Sequence, residues 1–166
     1  TLHKSGDTNN EDGKNAVVFT TGSSFTKIDQ SDLQSTSKGS SGIVANEKAM
    51  VYANDSSIMT SNDSANGLEA YSNGQIIANK MDITTQGNQS AAVYAKQSDG
   101  SISLTNSTLS TDGNNAPLLY ANGTIEVDNV SGTASHSKIA EVEGGQHLSI
   151  YNSQFSSTNN SLLQNE

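Results

Sequence analysis

Between Gly100 and Ala121 the chain reads GSISLTNSTLSTDGNNAPLLYA, with apolar residues at every second position in three short runs. Ile102 and Leu104 form the first run, Leu109 with Thr111 the second, and Leu118 or Leu119 with Ala121 the third. A period of two places such side chains on one face of a β-strand, whereas a helix repeats at about 3.6. No single run is long enough to make a sheet alone. The same module recurs on both sides of this stretch, and that recurrence predicts the architecture.

The repeats can be laid under one another without gaps. Residues 26–45 match 51–70 at a shift of 25, and 51–70 match 76–95 at another 25. The shift to 102–121 is 26, the shift to 125–144 is 23, and the last copy starts 23 further on, at Leu148. Upstream, Ala16-Val17-Val18-Phe19 looks like the last strand of an earlier, partial copy, and residues 1–15 are polar without alternation. Three strands in a repeat of this length are what one coil of a three-sided parallel β-helix needs. The prediction is an all-β solenoid of about five to six coils over residues 16–166, preceded by a polar segment at 1–15.

The columns formed by this alignment predict the core. Val51, Ile76, Ile102, Ile125 and Leu148 make one, and Ala53, Ala78, Leu104, Val127 and Ile150 run beside it. Leu33, Ile58, Ile83, Leu109, Gly132 and Phe155 make a third; Ile43, Leu68, Val93, Leu119 and Val142 a fourth. Coils stacked at roughly 4.8 Å bury each such column continuously, so neighbouring coils supply each other's core. Polar columns accompany them: Asn106, Asn129 and Asn152 in one turn, and Ser35, Thr60, Thr85, Thr111 and Ser157 after the second strand, broken by Ala134. Both are expected to satisfy backbone groups in the turns.

The I-x-L-x-N-S-x-L pattern from Ile102 to Leu109, with I-x-V-x-N at Ile125 to Asn129 and L-x-I-x-N at Leu148 to Asn152, resembles the right-handed parallel β-helix superfamily typified by pectate lyases. The resemblance covers about residues 16–165 and implies a right-handed coil. That superfamily holds polysaccharide lyases, glycoside hydrolases, tailspikes, adhesins and passenger domains, so the fold leaves activity open. In style, through phrasing such as Ser107-x-x-x-Thr111-x-Gly113-x-x-Ala116 and Val93-Tyr94-Ala95, the chain is most similar to adhesin-like β-solenoid segments of large bacterial surface proteins. The resemblance implies an extracellular, cell-surface or secreted location.

Composition sharpens this picture. Only 32% of residues are hydrophobic and more than a third are Ser, Thr or Asn. Disorder is the usual outcome of such a composition, but regular apolar spacing argues against it, and a solenoid needs only a narrow core. The net charge is −9, with 17 acids against eight bases, all of them lysine. Phosphate contacts need a basic face, so nucleic acid is not an expected partner. No apolar run approaches the roughly 18 residues of a membrane span. Cysteine is absent, which excludes disulfides and thiol catalysis.

The candidate chemistry is sparse. The superfamily's lyases combine an acidic calcium cluster with an Arg or Lys base, and this chain has no Arg. Glu126 with Asp128, and Glu141 with Glu143, are outward pairs at spacings open to a glycosidase, which uses carboxylates about 5 to 9.5 Å apart. His3, His136 and His147 sit in no ligand spacing, and Asp55, Asp63 and Asp112 in turns form no recognised calcium loop. No catalytic residue, metal or cofactor is therefore expected. The strongest binding candidate is the outward column Val44, Glu69, Tyr94, Tyr120 and Glu143, with two tyrosines flanked by the carboxylates of Glu69 and Glu143. Such an arrangement suits a glycan through CH–π contacts and hydroxyl hydrogen bonds; equally, stacked tyrosines can brace neighbouring coils.

The expectation is thus a non-catalytic surface module that touches a glycan or a host or bacterial surface. A fragment of a polysaccharide-active enzyme and a structural spacer or filament subunit are the alternatives. No capping helix is apparent at either end, so a longer solenoid or end-to-end self-association is expected.

Overall fold

A computed structural model of the chain describes residues 1–6 and 15–158, together with the backbone of 163–165. Among the described residues there are only strands, all paired in parallel, and no helix. A partial coil comes first, with β1 (Leu2–Lys4) and β2 (Ala16–Thr20). The first full coil holds β3 (Phe25–Asp29), β4 (Asp32–Ser35) and β5 (Ser41–Ala45). In the next two coils the first two strands merge round the bend, giving β6 (Met50–Thr60) with β7 (Leu68–Ala70), and β8 (Gln75–Thr85) with β9 (Val93–Ala95). Three-stranded coils then resume with β10 (Ser101–Thr105), β11 (Thr108–Thr111) and β12 (Leu119–Ala121). They continue through β13 (Thr124–Asp128), β14 (Ser131–Ala134) and β15 (Ala140–Val142) to β16 (His147–Tyr151), β17 (Gln154–Ser157) and β18 (Leu163–Asn165). The product is a parallel β-solenoid of about six turns. Its first two faces form one continuous bent sheet, and its third face forms a second sheet running from β2 to β18.

The registers of the first two faces reproduce the predicted columns. Val51 pairs with Ile76, Ile76 with Ile102, Ile102 with Ile125 and Ile125 with Leu148. Leu33, Ile58, Ile83 and Leu109 stack in the same manner and are buried, as are Ile43, Leu68 and Val93 of the third face. Glycine keeps the coils close where the chain enters that face. A Cβ on Gly67 would overlap the Ile83 side chain and the Ala92 carbonyl.

The sharp bend between the first two strands explains the asparagine column. Gln30, Asp55, Lys80, Asn106, Asn129 and Asn152 occupy it, with φ between 46° and 55°. This left-handed region is costly for most L-residues, and Asn and Asp tolerate it best. A ladder of amides runs beside the bend: Asn79 Nδ2 donates to Asn54 Oδ1 at 2.7 Å, Asn106 Nδ2 to Asn79 Oδ1 at 2.7 Å and Asn129 Nδ2 to Asn106 Oδ1 at 2.8 Å. Asn152 leaves the ladder and donates to Asp128 at 2.8 Å.

Two expectations are corrected. The polar segment 1–15 contains a strand, since Leu2–Lys4 pairs with Leu33–Ser35; residues 7–14 of that segment lie outside the described residues. In the third face, Ala140 rather than Val142 pairs with Leu119, and Val142 pairs with Ala121. The copy at 125–144 therefore slips by two residues at its third strand. The loop between β14 and β15 is two residues shorter than that between β11 and β12, and the turn after β15 is two longer than that after β12. The lengthened turn contains Gly144 and Gly145, with φ of 60° and 70°, where glycine carries no Cβ penalty.

Candidate functional site

The third face presents the outward column that the alternation predicts, with one changed member. Val44 pairs with Glu69, Glu69 with Tyr94, Tyr94 with Tyr120, and Tyr120 with Glu141. Glu141 thus takes the place expected of Glu143, which lies just past the end of β15. The two-residue slip preserves parity, so an acid still follows the tyrosines.

Glu69 is not an exposed flank. It is 3% exposed, and Ser41 Oγ donates to its Oε2 at 2.8 Å, with Asn66 Nδ2 adding a second bond at 3.1 Å. Lys96 Nζ lies 3.9 Å from the other oxygen. The strand alternation correctly points Glu69 away from the core. Side chains at the entrance to β5 and β7, and one just past β9, then close over it.

Tyr94 and Tyr120 come together as expected. Their ring centroids are 4.5 Å apart and their planes differ by 4°. One face of each ring is therefore covered by the other. Lys96 Nζ, which reaches back toward Glu69 of the preceding coil, lies 6.0 Å from the Tyr94 centroid and 5.7 Å from that of Tyr71. The pair consequently offers edges and hydroxyls to a ligand more than flat faces.

The acids beyond the pair are held in defined positions. Tyr120 Oη donates to Glu143 Oε1 at 2.5 Å, and Asn122 Nδ2 donates to Glu143 Oε2 at 3.1 Å. Lys138 Nζ and Glu141 Oε2 form an ion pair at 3.0 Å, three residues apart in sequence and largely shielded from solvent. Burial pushes the Tyr94 phenol up to about 12, with the charges of Glu69, Glu143 and Glu141 adding to the effect. Burial also raises Tyr120, followed by its hydrogen bond to Glu143. Both phenols are neutral near pH 7, and that of Tyr120 donates its proton to Glu143.

A cleft of about 290 Å³ opens beside this column. Tyr94, Tyr120, Lys138 and Glu141 form one part of its lining, and Gln89 and Asn115, from the loops that lead into β9 and β12, form another. Amide, phenol, ammonium and carboxylate groups converge there within a small volume. The loop contributions and the Lys138–Glu141 pair were not part of the sequence-derived site. Their only signals in the sequence are the spacing of three between Lys138 and Glu141 and the Gly144-Gly145 pair that marks the altered turn.

The other candidates are dispersed. Glu126 and Asp128 point outward from β13, and Asp128 accepts the Asn152 amide. His136 Nδ1 lies 2.8 Å from the Asp112 carbonyl oxygen and 3.3 Å from its Oδ1. Asp55 pairs with Lys80 at 3.5 Å, and Asp63 accepts the Asn88 backbone N–H at 2.8 Å. Among the described residues no group of three or more His, Asp or Glu side chains is placed to hold a metal ion. Among them also, no helix is long and apolar enough to cross a membrane. Comparison of the chain with protein-family models, curated proteins and solved structures gave no match.

Proposed function

We propose that the chain is a non-catalytic solenoid module of an extracellular or cell-surface protein, adhesin-like in design, that holds a glycan in the cleft beside Tyr94 and Tyr120. The observation that carries this reading is the convergence of two neutral phenols, the Lys138–Glu141 pair and the Gln89 and Asn115 amides on one cleft. A sugar ring is recognised by such a mixture of donors and acceptors, and a volume near 300 Å³ lies at the small end of ligand sites. Because one face of each ring is covered by the other and the Tyr120 hydroxyl already donates to Glu143, ring edges and the Tyr94 hydroxyl take over part of the face stacking expected from the sequence. A non-catalytic role is supported by how the nearby carboxylates are used: Glu141 is paired with Lys138, and Glu143 is bound by Tyr120 and Asn122. A glycosidase needs one carboxylic acid free to give a proton and a second free to attack or to activate water.

A glycan array probed with the wild type, Tyr94→Ala and Tyr120→Ala tests this. Binding that both substitutions abolish, in variants whose circular dichroism is unchanged, supports the cleft. Absence of binding to every glycan favours the structural spacer, in which the stacked tyrosines only brace adjacent coils; that reading draws on the same 4.5 Å ring stacking.

A further inference from the structure

At the β3 end of the solenoid the three faces are out of step. β1 lies on β4 and β2 lies on β5, but among the described residues nothing lies on β3, whose one strand partner is β6. A notch one strand wide is left above β3, flanked by β1 and β2. Leu2 belongs to the inward column of Leu33 yet is 49% exposed, because no strand of the first face stands across from it. A recess of about 450 Å³ opens here, and Leu2, Val18, Ile28 and Leu33 supply its apolar lining.

The backbone around the notch is laid out for a strand. Successive residues of a strand turn their N–H and C=O groups to opposite neighbours. Met50 N–H donates to the Ser24 carbonyl at 2.9 Å and Gln30 N–H to the Asn54 carbonyl at 3.2 Å, so the even-numbered residues of this segment face β6. Phe25, Lys27 and Asp29 therefore turn toward the notch, and no described residue pairs with their N–H groups there. The bend after β3 is set for the same neighbour. Ser56, Ser107 and Ser153 each accept an N–H from the preceding coil at 2.9–3.0 Å while donating to the carbonyl two residues back. Ser31 likewise donates to the Asp29 carbonyl at 2.9 Å, and among the described residues no N–H reaches it from the notch.

An unpaired edge of this kind takes an added strand, whose backbone bonds give affinity and whose alternate side chains give specificity. Its inward positions would lie over Thr26 and Ile28, whose columns continue as Val51, Ile76 and Ile102 and as Ala53, Ala78 and Leu104. A second copy stacked in register does not fill the notch. With its β17 on β1 and its β18 on β2, its β16 would stand two strand spacings, about 10 Å, from β3. We propose that the notch is an acceptor site for one extended strand of another polypeptide, paired in parallel with β3 and carrying apolar residues at two alternate positions. The site shares no residue with the cleft and stands apart from the glycan reading.

The test is amide hydrogen exchange of the 166-residue chain with and without a millimolar peptide, GSISLTNS, which copies Gly100 to Ser107. A control peptide has both apolar residues replaced by serine. In the free chain the Phe25, Lys27 and Asp29 amides should exchange rapidly; the first peptide should slow them at least tenfold, and the control should not. Lys27→Pro should abolish the response at an unchanged melting temperature, because proline is tolerated at the open side of an edge strand and its ring occupies the ladder. Leu2→Asp, which puts a charge on the recess wall, should also abolish it. No slowing by the peptide overturns the proposal, as does equal slowing by the control or an undiminished response in both variants. Slow exchange in the free chain would mean that the edge is already paired within it. Slowing that grows with protein concentration alone would assign the notch to a second copy, and protection confined to 147–151 would place the peptide on β16. Each of these three results also overturns the proposal.

Discussion

Three threonines at one position of successive coils show how a single hydroxyl is accommodated inside so narrow a core. Thr60, Thr85 and Thr111 follow one another in register and are each fully buried. Thr60 Oγ1 donates to the Ala65 carbonyl at 2.6 Å, and Thr85 Oγ1 to the Ser90 carbonyl at 2.6 Å. Thr111 Oγ1 is buried and has no partner among the described residues. Replacing a buried hydroxyl that satisfies a carbonyl leaves that carbonyl unpaired, at a cost of about 1–3 kcal/mol, whereas removing an unpaired hydroxyl relieves a desolvation penalty. Thr60→Val and Thr85→Val should each lower stability by about 1–2 kcal/mol in urea unfolding, and Thr111→Val should leave it unchanged or raise it. Equal losses in all three variants would contradict the assigned hydrogen bonds. The existence of the column was legible in the sequence, because Ser or Thr recurs at the coil spacing. The odd status of Thr111 was not, since the recurrence of a hydroxyl at the coil spacing is the same signal whether or not that hydroxyl finds a carbonyl.

At the scale of the strand, alternation determined which residues point inward but left the third face open to a slip of two. The copy at 125–144 aligns without a gap, and a two-residue displacement of β15 leaves every side chain on its original face. What decides the register is loop length: the chain shortens before Ala140 and lengthens at Gly144-Gly145. This is why Glu143, assigned to the column from the sequence, meets Tyr120 from the turn, while Glu141 occupies the strand position. The burial of Glu69 was equally invisible: Ser41 and Asn66 hold the same place in successive copies, 25 residues apart, but a polar residue there does not say that it turns toward Glu69, and Lys96 reaches it from just past β9. The strand β1 carries a single apolar residue, Leu2, and hence no periodicity to detect.

The same face carries a pH prediction. Folding raises both tyrosine pKa values above their usual 10, to about 12 for Tyr94. The folded state therefore holds its phenolic protons more tightly than the unfolded chain does. The resulting stability is fully present below pH 10 and is lost as pH rises through the folded-state values. Thermal unfolding followed from pH 8 to 12 should show a fall beginning near 10, and Tyr120→Phe should show a shallower one. An identical alkaline slope in wild type and variant would remove Tyr120 from this account.

For the whole molecule, a solenoid's stability is the sum of coil terms and nearest-neighbour interfaces, so coils need not open together. The inward residues of the coils from β6 to β12 are nearly all excluded from solvent: Val51, Ile58, Ile76, Ile83, Ile102, Leu104 and Leu109 are each 0–1% exposed. In the coil of β16 and β17, Leu148 and Phe155 are only half-buried and Ile150 is 40% exposed. Charge adds to this contrast, because residues 124–146 carry Glu126, Asp128, Glu141 and Glu143 against the single lysine Lys138. Native-state hydrogen exchange of the 166-residue chain should place the amides of 51–60, 76–85 and 101–111 at the global unfolding free energy. Those of 147–157 should exchange through a smaller opening, with weaker dependence on denaturant. Raising the salt to about 1 M, where the Debye length falls to roughly 3 Å, should slow exchange in the later coils more than in the central ones, because exposed like charges are then screened. Uniform protection from 51 to 157 at both salt concentrations would mean that the coils unfold as one unit. In that case the thin core, despite its small area per coil, couples coils well beyond their nearest neighbours.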